Sequence, residues 1–341
     1  MLSIFKSIDR YGVKNEKGEI VVPCVYDFID SVTEDQFVFD GLIKVVKQGR
    51  VGFVDAETGE LVISCNFSKA GFFKNGYAEV EIYDRWGVID KTGRIIIPTK
   101  YESINVFYGI MSNYIEVVDN GKRGLVDLKT AKEVLSCEYE NIMVMSDGNA
   151  IVSKLIKEEI VNNNEKFVQE KEKYGLVNLD TGKELAPCKF ETIACLSNGL
   201  IKVCEKGKFS LLDKNGKTIT KKAYDEIGNY VNGCVKVKFN GLWGFCDESG
   251  KEVIPCKYSQ VSDFIDGYAV AENHIRHYQE ESHSYKIQTE WVVINEHYNI
   301  ERLYTSNLNL SEANILKEVK EMRKDWKDGS LKYLDIDTLS I

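Results

Sequence analysis

Read for its alternation of apolar and polar positions, the chain is a succession of short strands. Segments such as LIKVVK from Leu42, YAEVEI from Tyr77, LIKVCEK from Leu200 and CVKVKF from Cys234 alternate with period two. That is the pattern of a strand with one face buried and one wet. Each leads into a second motif: an aromatic-Gly pair, two mostly apolar residues, then Asp or Asn. Eight copies of it are present: YGVKN from Tyr11, VGFVD from Val51, WGVID from Trp86, RGLVD from Arg123, YGLVN from Tyr174, FSLLD from Phe209, WGFCD from Trp243 and WVVIN from Trp291. The anchors lie about 35 residues apart with two longer gaps, so the chain is read first as an array of repeats.

The rest of each copy is also patterned. The motif ends in Asn15, Asp55, Asp90, Asp127, Asn178, Asp213, Asp247 and Asn295, and six copies place Gly three or four residues later. An Asx side chain accepts a hydrogen bond from backbone two residues on, and Gly closes the hairpin at positive φ. A short β segment follows, such as RIIIP or KEVIP. All four prolines (Pro23, Pro98, Pro187, Pro255) fall where it is expected to end, since proline gives up a ladder donor. Then comes an aromatic (Tyr26, Phe67, Tyr101, Tyr139, Phe190, Tyr224, Tyr258), usually followed by Asp, Glu or Ser, with an aliphatic mate at the third place. Each unit is therefore about three strands plus an irregular corner. One unit buries too little to stand alone, so stacking must supply the core. The expected core residues are Tyr11, Trp86, Tyr174, Trp243 and Trp291 before the glycine slot, and Tyr26, Tyr101, Tyr139, Tyr224 and Tyr258 at the corners.

These units predict an all-β fold of tandem three-stranded repeats. The favoured arrangement is an open β-solenoid or superhelical array; the alternative is a closed, propeller-like ring. About 35 residues is short for a four-stranded propeller blade. Residues 311–327, SEANILKEVKEMRKDWK, open with Ser311 as N-cap and set Ile315, Val319, Met322 and Trp326 on one helical face. A C-terminal helix capping the last repeat suits an open array. The expected division is a repeat domain over 1–305 and a helix with tail over 306–341.

The copies WGVIDKTGRIIIPTKYESI from Trp86 and WGFCDESGKEVIPCKYSQV from Trp243 resemble the WG-repeat family, which is widespread in bacteria. The likeness extends over roughly residues 10–305. It implies a β-repeat platform, often one for protein contacts. Arg123 and Val51 replace the aromatic, and Ser210 and Val292 replace the glycine, which points to local repacking.

Composition narrows the function. A net charge of -9 disfavours nucleic acid and anionic membrane as partners. The N-terminal apolar stretch is interrupted by Lys6 and Asp9, too soon for an export signal, and nothing approaches a membrane span, so a cytoplasmic location is expected. The nine cysteines are odd in number and lack a C-x-x-C pair; five of them (Cys24, Cys65, Cys137, Cys188, Cys256) share one repeat slot, as small buried thiols would.

Two insertions break the period, near 154–173 and 272–289, and are expected to lengthen hairpins. The second holds His274, His277 and His283 beside Glu272, Glu280 and Glu281. This spacing is a weak zinc-like candidate and carries no metal assignment. Hairpin capping explains the repeated Asp/Asn better than calcium does. No nucleotide, hydrolase or metalloprotease motif occurs, and no cofactor is implied. The expected function is a non-catalytic scaffold for an unidentified protein partner, contacted through the repeat surface and the inserted hairpins. The alternatives are a glycan or peptidoglycan module and an enzyme with its site at a ring centre or on the insertions.

Overall fold

The computed structural model describes residues 2–33, 36–105, 113–162, 165–265, 267–279 and 284–306. The expected helix and tail beyond residue 306, and Glu280, Glu281 and His283, lie outside the described residues. Every element among those residues is a strand, and none is a helix able to cross a membrane. The strands form small antiparallel sheets of three to five members. By contacts the chain divides into two compact units, 1–172 with 176–184, and 173–175 with 185–341.

One sheet of the first unit shows the plan. It runs Lys69–Ala70, Tyr77–Ile82, Arg85–Asp90, Ile95–Tyr101, each strand hydrogen-bonded to the next. Four strands stand where three were expected, because the corner contributes a short one. The sequence copy is also out of phase with the sheet. The copy beginning at Trp86 supplies the last two strands of this sheet, then crosses at Tyr101 to supply Ser103–Asn105 and Tyr114–Asp119, the first two of the next. Each repeat thus straddles two sheets.

The core lies between consecutive sheets. Val88, Ile97 and Tyr101 of one sheet pack with Ile115, Val117 and Val126 of the next. The neighbouring residue Ile89 points the other way, into the cluster of Phe53, Ile63, Phe67 and Val80. The second unit repeats this, with Tyr224, Ile227, Val235 and Cys246 in one cluster and Phe245, Tyr258, Ala271 and Val292 in another. The strands of the sheet from Lys69 to Tyr101 are therefore covered on both faces rather than wet on one, because that sheet is shared by two cores. Each fully buried side chain contributes roughly 1.5–3 kcal/mol.

The glycine of the aromatic-Gly motif is set by close approach. Trp86 pairs with Tyr101 and Val88 with Ile97, so one residue faces three. The extra residues form a bulge over Gly87, where a Cβ would come 2.5 Å from the Ile97 carbonyl oxygen and 2.8 Å from Thr99 N. The same bulge recurs opposite Gly12, Gly52, Gly124 and Gly244. Pro98, Pro23 and Pro255 sit inside this bulged strand and not at its end. Proline is accommodated there because the strand is the last of its sheet and bulged. The cysteine slot lies over the same glycines. The Cys65 and Cys137 sulfurs would stand 2.7 Å and 2.9 Å from a Cβ at Gly52 and Gly124. These five cysteines are half-buried thiols outside any disulfide, not fully buried as expected.

Of the two copies without the glycine, that of Val292 loses the bulge, whereas that of Ser210 keeps the offset of Trp86 and Tyr101 between its paired Phe209 and Tyr224. At Val292 the ladder is regular, Trp291 to Tyr304, Val292 to Leu303, Val293 to Arg302. At Ser210 only isolated bridges, Phe209 to Tyr224 and Leu212 to Thr218, hold the following segment, and the sheet keeps three strands.

Candidate interaction surface

The aromatic slots fall into two classes. Tyr26, Tyr101, Tyr139, Tyr224 and Tyr258 are buried. Tyr11, Trp86, Tyr174 and Trp243 are half-buried, and Trp291 is buried at 9%. Tyr11, Trp86 and Trp243 each stand directly across the ladder from a corner tyrosine, as Tyr11–Tyr26, Trp86–Tyr101 and Trp243–Tyr258. Burial pushes the Tyr224 hydroxyl far above the ordinary phenol range, helped by its 3.2 Å contact with the Cys246 sulfur.

The repeated acids are committed to the backbone. Asp247 Oδ1 accepts from Ser249 N at 2.9 Å and Lys251 N at 3.0 Å, and Asn295 Oδ1 accepts from His297 N and Asn299 N at 2.9 Å and 3.0 Å. Hydrogen bonds from the Thr58 and Glu57 amides hold the Asp55 carboxyl below its usual range. These are hairpin caps with their acceptors turned inward to the turn.

A second role escaped the sequence reading. The acid after the corner aromatic caps the turn between the two long strands. Asp27 accepts from Gln48 N at 2.5 Å, Glu102 from Gly121 N at 3.0 Å, Glu191 from Gly207 N at 3.1 Å and Asp225 from Gly241 N at 2.9 Å. A basic residue 17 or 18 positions upstream pairs with the same acid in several copies: Arg10 with Asp27, Lys122 with Glu140, Lys208 with Asp225. The hydrogen bond from Lys208 draws the Asp225 carboxyl below its ordinary value. The signal was present as a basic residue just before the aromatic slot in six of the eight copies.

Lysines also tie sheet to sheet. Lys44, 7% exposed, donates to the Ala70 carbonyl at 2.9 Å, pairs with Asp30 at 2.6 Å and lies 4.0 Å from the Phe72 ring centre. In the second unit Lys202 donates to the Ile227 carbonyl at 3.1 Å. Both acceptors are the aliphatic mates of corner aromatics. Burial raises the nearby Glu79 carboxyl.

The insertions do lengthen hairpins. The first gives strands Asn149–Asn162 and Glu165–Asn178, fourteen residues each against six in Tyr77–Ile82. At about 3.3 Å per residue the hairpin reaches roughly 25 Å further. It carries Lys171–Glu158 and Lys166–Glu159 pairs at 3.3 Å and 3.7 Å, beside exposed Leu155, Phe167 (49%) and Val168 (65%). The second gives Tyr268–Gln279 and Ser284–Asn295. His274 pairs with Glu272 at 2.8 Å and faces Thr289 in the ladder, while His277 is registered opposite Lys286. Among the described residues no three His, Cys, Asp or Glu gather as a metal group.

A family model described as WG containing repeat matches residues 11–49, 52–86, 86–122, 124–154, 174–209, 209–243 and 243–273, more than half of the chain. A search of curated proteins finds no match. Similar solved structures include the crystal structure of the eukaryotic initiation factor, at 8% identity and TM-score 0.29, covering 90% of this chain and 96% of that one. Another is a protein of unknown function from Bacteroides caccae, at 14% identity and TM-score 0.20, covering 91% and 95%. A third is the AfRom2 CNH domain, at 14% identity and TM-score 0.21, covering 73% and 91%.

Proposed function

The chain belongs to the WG containing repeat family, and from that membership we propose that it is a non-catalytic scaffold that binds a protein partner. The observation that supports this reading is how the polar residues divide. The repeated ones serve the fold: the Asx side chains cap hairpins, the acids after the corner aromatics cap turns, and Lys44 and Lys202 join neighbouring sheets. The first long hairpin in turn carries Leu155, Phe167 and Val168 exposed between charged residues. Side chains that a scaffold leaves exposed on an insertion are available for contact, and apolar residues ringed by charge are the usual composition of an interface.

The test is affinity purification with mass spectrometry, comparing the whole chain with versions lacking 154–173 or 272–289. A stoichiometric partner captured by the whole chain and lost from one deletion supports the scaffold. Failure of the whole chain to retain any stoichiometric protein contradicts it.

A further inference from the structure

We propose that the copy built on Phe209 and Tyr224 is a docking surface for an acidic peptide segment. This rests on the scaffold reading and names the surface and the partner's chemistry. The chain carries a net charge of -9, yet residues 202–238 hold nine lysines against four acidic residues. Several of these lysines are occupied. Lys202 bonds the Ile227 carbonyl, Lys208 pairs with Asp225 at 2.5 Å, Lys222 with Glu252 at 2.9 Å and Lys236 with Asp263 at 3.0 Å. Lys206, Lys217 and Lys221 are exposed and form no ion pair among the described residues.

The fold sets these three along one edge. The segment 217–224 runs antiparallel to Lys208–Leu212, bridged at Leu212–Thr218 and Phe209–Tyr224. Lys217 lies at one end of it, Lys221 within it, and Lys206 in the turn beyond the other end. The segment reads KTITKKA, without an acid, whereas three of the matching outer strands begin with one, at Glu133, Glu184 and Glu252. It is also the copy where Ser210 replaces the glycine and no regular outer strand forms. Irregular backbone and uncompensated positive charge therefore coincide. A ligand with regularly spaced carboxylates complements that edge, and the attraction is screened by salt.

The test uses the whole chain and a fluorescein-labelled octaglutamate peptide, read by fluorescence anisotropy at low ionic strength. Binding is expected, and the triple variant Lys206→Glu, Lys217→Glu, Lys221→Glu should weaken it about tenfold or more. A control variant reversing Lys91, Lys129 and Lys132, exposed turn lysines of the other unit, should leave it unchanged. Circular dichroism confirms that each variant is folded. No binding to the peptide, equal loss in the control, or binding of a single-stranded oligothymidylate as tight as that of the peptide overturns the proposal. A native partner captured equally by the triple variant and the wild type would leave the scaffold standing and remove this surface from it.

Discussion

Replacing Gly87 by alanine tests the account where sequence and geometry meet. In an ordinary strand the change removes glycine's entropic penalty and stabilises by roughly 0.5–1 kcal/mol. At residue 87 the new Cβ would lie 2.5 Å from the Ile97 carbonyl oxygen and 2.8 Å from Thr99 N, both backbone atoms of the bulge. Backbone yields less readily than a side-chain tip, so overpacking of about 2 kcal/mol should win. Gly87→Val should cost more. The chain contains its own remedy: Trp291 and Tyr304 are paired 13 positions apart, against 15 for Trp86 and Tyr101, and Val292 sits in a regular ladder. Removing Pro98 and Thr99 from Gly87→Val should therefore recover stability relative to Gly87→Val alone. Urea unfolding followed by circular dichroism reads all three variants. A midpoint for Gly87→Ala at or above the wild type would refute the reasoning.

Asp247→Ala removes the cap on Ser249 N and Lys251 N and should cost about 1 kcal/mol in the same assay. Burial pushes the Cys234 and Cys256 thiols up to about 12 and Cys246 up to about 11, from 9.0. A raised folded value stabilises the protonated fold, so this contribution is full below about pH 9 and fades as pH climbs through 11 to 12. Unfolding midpoints measured across that range should be level up to about pH 9 and fall above it. Replacing residues 156–171 by Asn-Gly should leave the unfolding free energy within about 0.5 kcal/mol, measured by urea titration, because the deleted pairs are solvent-exposed.

Much of the fold was legible because turn chemistry is local. Asp90 followed by Gly93 declared a hairpin, and Asp90 does cap it through Thr92 N at 2.9 Å. The corner tyrosines were legible from recurrence alone. The phase of the sheets was not, since a periodic sequence has no marked beginning and hydrogen bonding, not period, decides that Tyr101 ends one sheet and Ser103 starts the next. The proline positions misled for a related reason. Pro98 gives up a donor, but a bulged outer strand does not use that donor, so the strand continues to Tyr101. At the candidate surface the two long hairpins were visible as breaks in period. The lysine edge at residues 206–221 was not, because the occupied lysines Lys208 and Lys222 look the same in sequence as the free ones.

Mutual shielding of consecutive sheets is tested most directly on one sheet by itself. A synthetic peptide of residues 69–101 contains all four strands of a complete sheet, but in the protein its two faces are covered by different neighbours. Far-ultraviolet circular dichroism and amide-proton exchange of this peptide in water should show an unfolded chain with unprotected amides. A monomeric peptide with a cooperative thermal transition and protected amides along Tyr77–Ile82 and Arg85–Asp90 would contradict the account.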